Sequence, residues 1–132
     1  MLDTCAMIAF FSKEKGAEKV KEILENAALS KCSVLMHSAS VAELYYDTLK
    51  TSSIEAESMI MNLKTYPITF IENITTDLIK QIGFFKTNYK ISFADSFVLA
   101  TAKIYAAKVV TSDHHEFDVI EKRGDVAFEW IR

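Results

Sequence analysis

The chain has 132 residues and a mass of 14.9 kDa, so we expect residues 1–132 to form a single domain. Its three glycines and one proline exclude low-complexity and collagen-like chains and argue against an all-β domain, which needs many turns. Two cysteines are too few for a disulfide scaffold, which predicts a reducing, cytoplasmic location, and a net charge of −3 argues against a duplex-binding module that works by positive charge alone.

Short apolar runs rich in β-forming residues alternate with longer helical patterns, which is typical of βαβ units and a parallel sheet. Five strands are predicted, at residues 1–2, 33–37, 68–71, 108–111 and 126–131. Seven helices are predicted between them, at residues 4–12, 16–29, 41–49, 53–66, 76–88, 93–107 and 115–123. The helix caps are predicted at Ser38 or Ser40, at Ser52, at Thr75 or Thr76, and at Ser92.

No membrane association is expected from the sequence. The longest apolar run, residues 5–11, is far shorter than the roughly 20 residues that cross a bilayer. No basic segment or cleavage site of a targeting signal precedes Asp3.

Four acidic residues fall at one edge of such a sheet. Asp3 ends the first strand, and Glu43 lies in the first turns after the second. Asp95 lies in the first turn of the helix that leads into the fourth strand, and Asp113 follows that strand. Because parallel strands end at the same edge, where ligands bind, we expect the four carboxylates to converge.

Each acid also has a purely structural interpretation. An acid in a first helical turn complements the helix dipole, which contributes about 0.3–1 kcal/mol. Asp95 fits a capping box with Ser92, Glu43 can share a solvated helix face with Asp47, and Asp113 can be a turn residue.

Burial favours a shared site. The helix of Asp95 is apolar on every side except for Lys103, and Asp3 adjoins the apolar residues 5–11. No Lys or Arg lies near either acid in sequence, so carboxylates that meet there would repel and raise one another's pKa values. A hard divalent cation with oxygen ligands, Mg²⁺ or Mn²⁺, removes that conflict and suits phosphodiester hydrolysis. It would also supply positive charge beside a nucleic-acid backbone.

Four segments resemble PIN-domain ribonucleases: LDTCAMIA at 2–9, SASVAEL at 38–44, FADSFVLATA at 93–102 and VVTSDHHEF at 109–117. Each is weak alone, but together they cover essentially the whole chain in the right order, and its length resembles that of a VapC-type toxin of a type II toxin–antitoxin pair. The resemblance implies an α/β/α sandwich with a central five-stranded parallel sheet of order 3-2-1-4-5. It also implies Mg²⁺- or Mn²⁺-dependent endoribonuclease activity on RNA, a homodimer, and inhibition by a partner antitoxin.

By the same resemblance, the catalytic and metal-ligating acids are Asp3, Glu43, Asp95 and Asp113. Thr4, Thr111 and Asp118 are expected to support them. The chain departs from the family in having almost no residues before Asp3, which predicts a weakly paired first strand. It also has Cys5 where a serine is usual.

Other chemistries fit the sequence less well. A haloacid-dehalogenase-like phosphotransferase needs a second Asp where Cys5 stands, and a cysteine phosphatase needs an Arg where Phe11 stands. The three histidines match no common zinc spacing. The alternative that remains is a catalytically silent PIN-like RNA-binding or scaffold protein.

Aromatic residues suggest an interface. Tyr45, Tyr46, Phe84 and Phe85 are more aromatic surface than one small core needs, which supports the homodimer. Phe84 and Phe85, with Tyr89 and Phe93, can also stack bases, although packing in the core or between subunits is the better interpretation.

Overall fold

The computed structural model describes residues 1–132 and contains seven helices and four short strands. The helices are α1 (Thr4–Phe11), α2 (Ala17–Ala28), α3 (Ser38–Leu49), α4 (Ser53–Leu63), α5 (Thr76–Asn88), α6 (Phe93–Ile104) and α7 (His114–Arg123). The strands are β1 (Leu35–His37), β2 (Thr69–Ile71), β3 (Val109–Thr111) and β4 (Phe128–Trp130). Every predicted helix is therefore present.

The strands form two parallel pairs, β1–β2 and β3–β4, and the five-stranded sheet is not confirmed. The predicted first strand is a single parallel bridge between Leu2 and Val110. The Leu2 N–H donates to the Leu35 carbonyl at 2.7 Å, and the Val110 N–H donates to the Met1 carbonyl at 2.8 Å. This segment thus contacts both pairs, but two residues before Asp3 are too few to form a regular strand.

Helices pack on both faces of the strands. Val109 and Val110 are neighbours on β3 but belong to two separate hydrophobic clusters, because successive side chains of a strand point to opposite faces. One cluster holds the buried side chains of α5, α6 and α7, and the other holds those of α1 to α4. Residues 96–102 of α6 are all buried, as the apolar pattern of that helix predicts. The chain is an α/β domain.

Several element boundaries differ from the predictions. His37, rather than Ser38 or Ser40, caps α3, because its Nδ1 accepts a hydrogen bond from the Ala39 N–H at 3.0 Å. Helix α6 ends at Ile104 instead of residue 107, since Ala106 adopts a positive φ of 49°. Helix α4 ends at Leu63 rather than residue 66. The caps at Ser52, Thr75 and Ser92 are confirmed.

The aromatic residues divide between core and surface. Phe85 and Tyr89 are buried in the cluster of α5 to α7, which corrects the interpretation of Phe85 as surface. Phe84, Phe93 and Tyr46 remain exposed. No helix of the protein combines the length and the apolar character needed to cross a bilayer.

Two glycines provide a matched test of the backbone. Gly16 caps α2 with a φ of +100°, and a Cβ there would lie 2.9 Å from the Ile131 carbonyl oxygen. Gly83 is an exposed residue inside α5 with nothing within 4 Å of the added Cβ. We expect Gly16→Ala to lower the free energy of unfolding by about 1–3 kcal/mol. Gly83→Ala should raise it by about 0.5–1 kcal/mol.

Urea denaturation of both variants beside the wild type measures these changes. A stable Gly16→Ala variant would show that the contact with Ile131 is loose.

Candidate active site

The four predicted acids line a single cleft of about 250 Å³. Asp3 precedes α1, Glu43 lies on α3, Asp95 lies in the first turn of α6, and Asp113 caps α7. Their convergence, which the order of strands and helices predicts, is therefore present. No Lys or Arg is among the residues that line the cleft.

Asp3 is the buried centre of this cleft, with 2% of its surface exposed. Its Oδ1 accepts a hydrogen bond from the Thr4 N–H at 2.7 Å, and its Oδ2 accepts one from the Thr111 hydroxyl at 2.7 Å. Burial raises the pKa of Asp3 to about 7, with the charges of Asp95 and Glu43 adding to the rise and the hydrogen bond from Thr111 opposing it. The raised pKa favours the protonated form of this carboxyl group at pH values where an exposed aspartate is ionised.

Two threonine hydroxyls link the acids to one another. The Thr4 hydroxyl donates to Glu43 Oε2 at 2.5 Å, while the backbone of Thr4 binds Asp3. The Thr111 hydroxyl donates to Asp3 and accepts a hydrogen bond from the Asp113 N–H at 3.0 Å. Both threonines thus lie where a supporting role would place them.

Asp95 caps α6 as well as lining the cleft. Its Oδ2 accepts hydrogen bonds from the Ser92 N–H at 3.3 Å and the Ser92 hydroxyl at 2.7 Å, and Ser92 Oγ accepts one from the Asp95 N–H at 3.0 Å. The capping box considered from the sequence is therefore present. Burial nevertheless raises the pKa of Asp95, with Glu43 and Glu116 adding to the rise and the hydrogen bonds from Ser92 opposing it. The residue that closes the capping box of α6 is thus also one of the acids that line the cleft.

Tyr46, Asp47 and Glu116 are among the residues of the cleft that the sequence reasoning did not place there. Glu116 lies three residues after Asp113 on α7, and its N–H donates to Asp113 Oδ1 at 3.1 Å. That spacing on one helix was the available signal, because residues three apart share a helix face.

Asp118, expected to support the quartet, is not brought to the cleft. Its Oδ1 lies 2.9 Å from His114 Nδ1, and the other ring nitrogen of His114 donates to the Arg132 carbonyl at 3.0 Å. The imidazole ring of His114 also stacks on Trp130, with ring centroids 3.9 Å apart. Asp118 therefore fixes a side chain at the start of α7 instead of contributing a carboxylate to the cleft.

Cys5 lines the cleft but is a poor nucleophile. Burial raises the pKa of its thiol to about 12, and the carboxylates of Asp3, Asp113, Asp95 and Glu43 add to the rise. The thiol stays protonated at neutral pH, whereas nucleophilic attack requires the thiolate. This agrees with the rejection of a cysteine phosphatase.

The donor set of the cleft suits a hard divalent cation. Glu43, Asp95 and Asp113 each use one carboxylate oxygen in the hydrogen bonds described above, and the other oxygen of each makes none within the chain. Oxygen donors of this kind are those that Mg²⁺ and Mn²⁺ prefer. No three acidic, histidine or cysteine side chains are arranged to hold one ion, so metal binding here stays a prediction.

Comparison of the chain with known protein families identifies its family. Residues 1–123 match the family model described as the PIN domain. The chain belongs to the PIN-domain family. No curated protein is significantly similar to it in sequence.

Several solved structures share the fold of this PIN domain. DNA-bound VapBC from Salmonella typhimurium matches with a TM-score of 0.75 and 16% identity, over 100% of this chain and 97% of that one. VapBC2 from Rickettsia felis, bound to a DNA fragment from its promoter, matches with a TM-score of 0.74 and 17% identity, over 98% and 96%. VapBC-1 from nontypeable Haemophilus influenzae matches with a TM-score of 0.72 and 20% identity, over 99% and 96%. At these identities the likeness shows the fold alone.

The raised pKa of Asp3 predicts a pH-dependent stability. Between the unfolded pKa of 3.8 and the folded value near 7, the folded state binds more protons than the unfolded chain. The contribution of Asp3 to stability is therefore complete below pH 4 and is lost as the pH rises through 7. We expect a loss of up to a few kcal/mol, since one pKa unit corresponds to about 1.4 kcal/mol.

Thermal unfolding in EDTA from pH 5 to pH 8 measures this effect in the wild type and in Asp3→Asn. The wild type should lose stability relative to the variant as the pH rises. Parallel curves would show that Asp3 ionises normally in the folded protein.

Proposed function

We propose that this PIN domain is an Mg²⁺- or Mn²⁺-dependent endoribonuclease that acts as a VapC-like toxin. The observation that supports this most is the convergence of Asp3, Glu43, Asp95 and Asp113 on a cleft without a cationic side chain. Such a charge arrangement is costly unless a cation enters it. The proposed substrate is RNA, and the proposed location is the cytoplasm.

The partners are proposed from the similar structures. The three structures described above are named as VapBC, two of them with DNA, and a further similar structure, from Klebsiella pneumoniae, is named as a toxin–antitoxin complex. By extension, this chain would bind a cognate antitoxin. A homodimer is proposed as well, supported by the exposed ring of Phe84 on α5. We also propose the sheet order 3-2-1-4-5, in which the numbers count the five predicted strands and strand 1 is the segment before Asp3. In support, residues 1–3 hydrogen-bond to both Leu35 and Val110.

In the proposed reaction, the chain holds its carboxylates in place through two hydroxyls. Asp3, Glu43, Asp95 and Asp113 would be the metal ligands, and the bound ion would lower the pKa of an attacking water and stabilise negative charge on the phosphate. The Thr4 hydroxyl occupies Oε2 of Glu43 and leaves Oε1 free. The Thr111 hydroxyl donates to Asp3 Oδ2 and accepts from the Asp113 N–H, so it links Asp3 to the start of α7. Because no three of these side chains are arranged to hold one ion in the free protein, metal binding would require side chains of the cleft to reorient.

Metal removal tests the activity directly. We expect cleavage of unstructured RNA in Mg²⁺ or Mn²⁺, its loss in EDTA, and a strong loss in Asp3→Asn and Glu43→Gln. RNA fragments on denaturing gels give the rates. Full activity in EDTA, with cyclic phosphate ends, would contradict a metal-dependent hydrolysis. RNA binding without cleavage under any metal would instead favour the silent alternative.

The role of Asp95 beyond its cap can be tested by stability. If Asp95 belongs to a cluster of like charges, Asp95→Asn relieves repulsion, so stability without metal should stay level or rise. The gain in melting temperature on adding Mg²⁺ or Mn²⁺ should shrink, since binding to the folded state stabilises in proportion to affinity.

Asp77 provides the matched control, because it lies in the first turn of α5 and outside the acidic cleft. Asp77→Asn should lower stability by up to about 1 kcal/mol. Its gain from metal should equal that of the wild type. The same result for Asp95→Asn would reduce Asp95 to a helix cap.

A further inference from the structure

Tyr46 is an aromatic residue of the acidic cleft that the proposed hydrolysis leaves without a role. It lies three residues after Glu43 on α3, which places both on one helix face. Its side chain lines the cleft, the residue is 52% exposed, and its hydroxyl group makes no hydrogen bond within the chain. The neighbouring Tyr45, by contrast, donates to Glu57 and packs against the core. A large ring held half in solvent beside a candidate active site is available to a ligand.

Lys50 supplies positive charge next to this ring. Its ammonium group lies over one face of the Tyr46 ring, 4.7 Å from the ring centroid. Lys50 is the C-cap of α3, one helical turn after Tyr46. It also pairs with Asp47, another residue of the cleft, at 3.0 Å. This ion pair is exposed, and exposed pairs contribute little to stability, so the lysine can exchange Asp47 for another anion at low cost.

The charge of the cleft determines what else can bind RNA there. Six carboxylates line it: Asp3, Glu43, Asp47, Asp95, Asp113 and Glu116. These groups repel a phosphate backbone, so attraction beyond that of the proposed divalent ion has to come from an uncharged contact or from a cation at the rim of the cleft. Stacking on an aromatic ring is such a contact, and it works with any base because every base has a π face.

We propose that Tyr46 stacks a base of unpaired RNA beside the acidic cleft, on the ring face that Lys50 does not cover, while Lys50 binds the adjoining phosphate. This inference rests on the proposed function, because it takes RNA as the substrate. A base stacked within a duplex cannot lie flat on the ring, so the pair selects single strands and loops over duplexes. Tyr46 is then a positioning residue that contributes to substrate binding and takes no part in bond cleavage.

Binding and cleavage by Tyr46 variants test the proposal separately. Binding of a short fluorescent unstructured RNA is measured by anisotropy in Ca²⁺, and KM and kcat are measured in Mg²⁺. Tyr46→Ala should weaken binding by roughly 5- to 150-fold, the range found for loss of one stacked base. It should raise KM with little change in kcat, since stacking serves ground state and transition state alike. Tyr46→Phe, which keeps the ring, should behave as the wild type.

The contribution of Lys50 can be measured from the salt dependence of RNA binding. Lys50→Gln should flatten the plot of log affinity against log salt concentration by about 0.7, the value for one phosphate contact on a single strand. Tyr46→Ala should weaken binding without changing that slope. A duplex of the same sequence should compete poorly.

Tyr105 provides the matched control, because it is also 52% exposed but lines a different cleft. Tyr105→Ala should leave binding and KM unchanged.

Absence of RNA binding by the wild type, or an unchanged KM in Tyr46→Ala with cleavage intact, would overturn the proposal. So would a loss of dimer in Tyr46→Ala without loss of RNA affinity, because the ring would then belong to an interface between copies. If the protein binds RNA through Tyr46 but cleaves none, the stacking proposal is supported and the proposed nuclease activity is contradicted.

Discussion

The buried carboxyl group of Asp3 is the constraint on which the rest of the structure depends. A carboxylate removed from water needs partners, and the chain supplies them from two distant segments, the backbone of Thr4 and the hydroxyl of Thr111. Residues 1–3, which include Asp3, also join the two pairs of strands. The Leu2 N–H donates to the Leu35 carbonyl on one side, and Leu2 forms a parallel bridge with Val110 on the other. The least solvated charge of the cleft therefore lies where the two halves of the fold meet.

In the free protein, the N-termini of three helices, instead of cationic side chains, offset the negative charge of the cleft. Asp3 and Asp113 are the N-caps of α1 and α7, and Asp95 closes the capping box of α6. The N-terminus of a helix carries a partial positive charge, so three helix ends oppose the repulsion among the acids. This compensation is incomplete, since the pKa of Asp3 and that of Asp95 remain raised. The repulsion that remains among the acids is what the proposed divalent ion would relieve.

The sequence predicts the helices well because they leave strong local patterns. The apolar run of α6 and the caps at Ser52, Thr75 and Ser92 are read from neighbouring residues. The strands are harder to predict, since three-residue segments depend on their partners more than on their own pattern. His37 was missed as a cap because its imidazole is an unusual acceptor there.

The candidate site shows the same division between local pattern and tertiary placement. The order of strands and helices suffices to bring four acids together. The direction in which α7 leaves its cap decides whether Glu116 or Asp118 joins Asp113 in the cleft. In the structure Glu116 lines the cleft, and Asp118 pairs with His114 instead. The place of Tyr46 in the cleft depends on how α3 packs against its neighbours, which the helical stripe of α3 does not specify.

The stacking of His114 on Trp130 gives the site a built-in optical reporter. Trp130 is the single tryptophan of the chain, and its partner ring is the residue directly after Asp113. Indole emission is sensitive to an imidazole ring held in face-to-face contact. Any event that shifts the first turn of α7, such as ion entry or the docking of another macromolecule, should change the intrinsic fluorescence of the protein without a label.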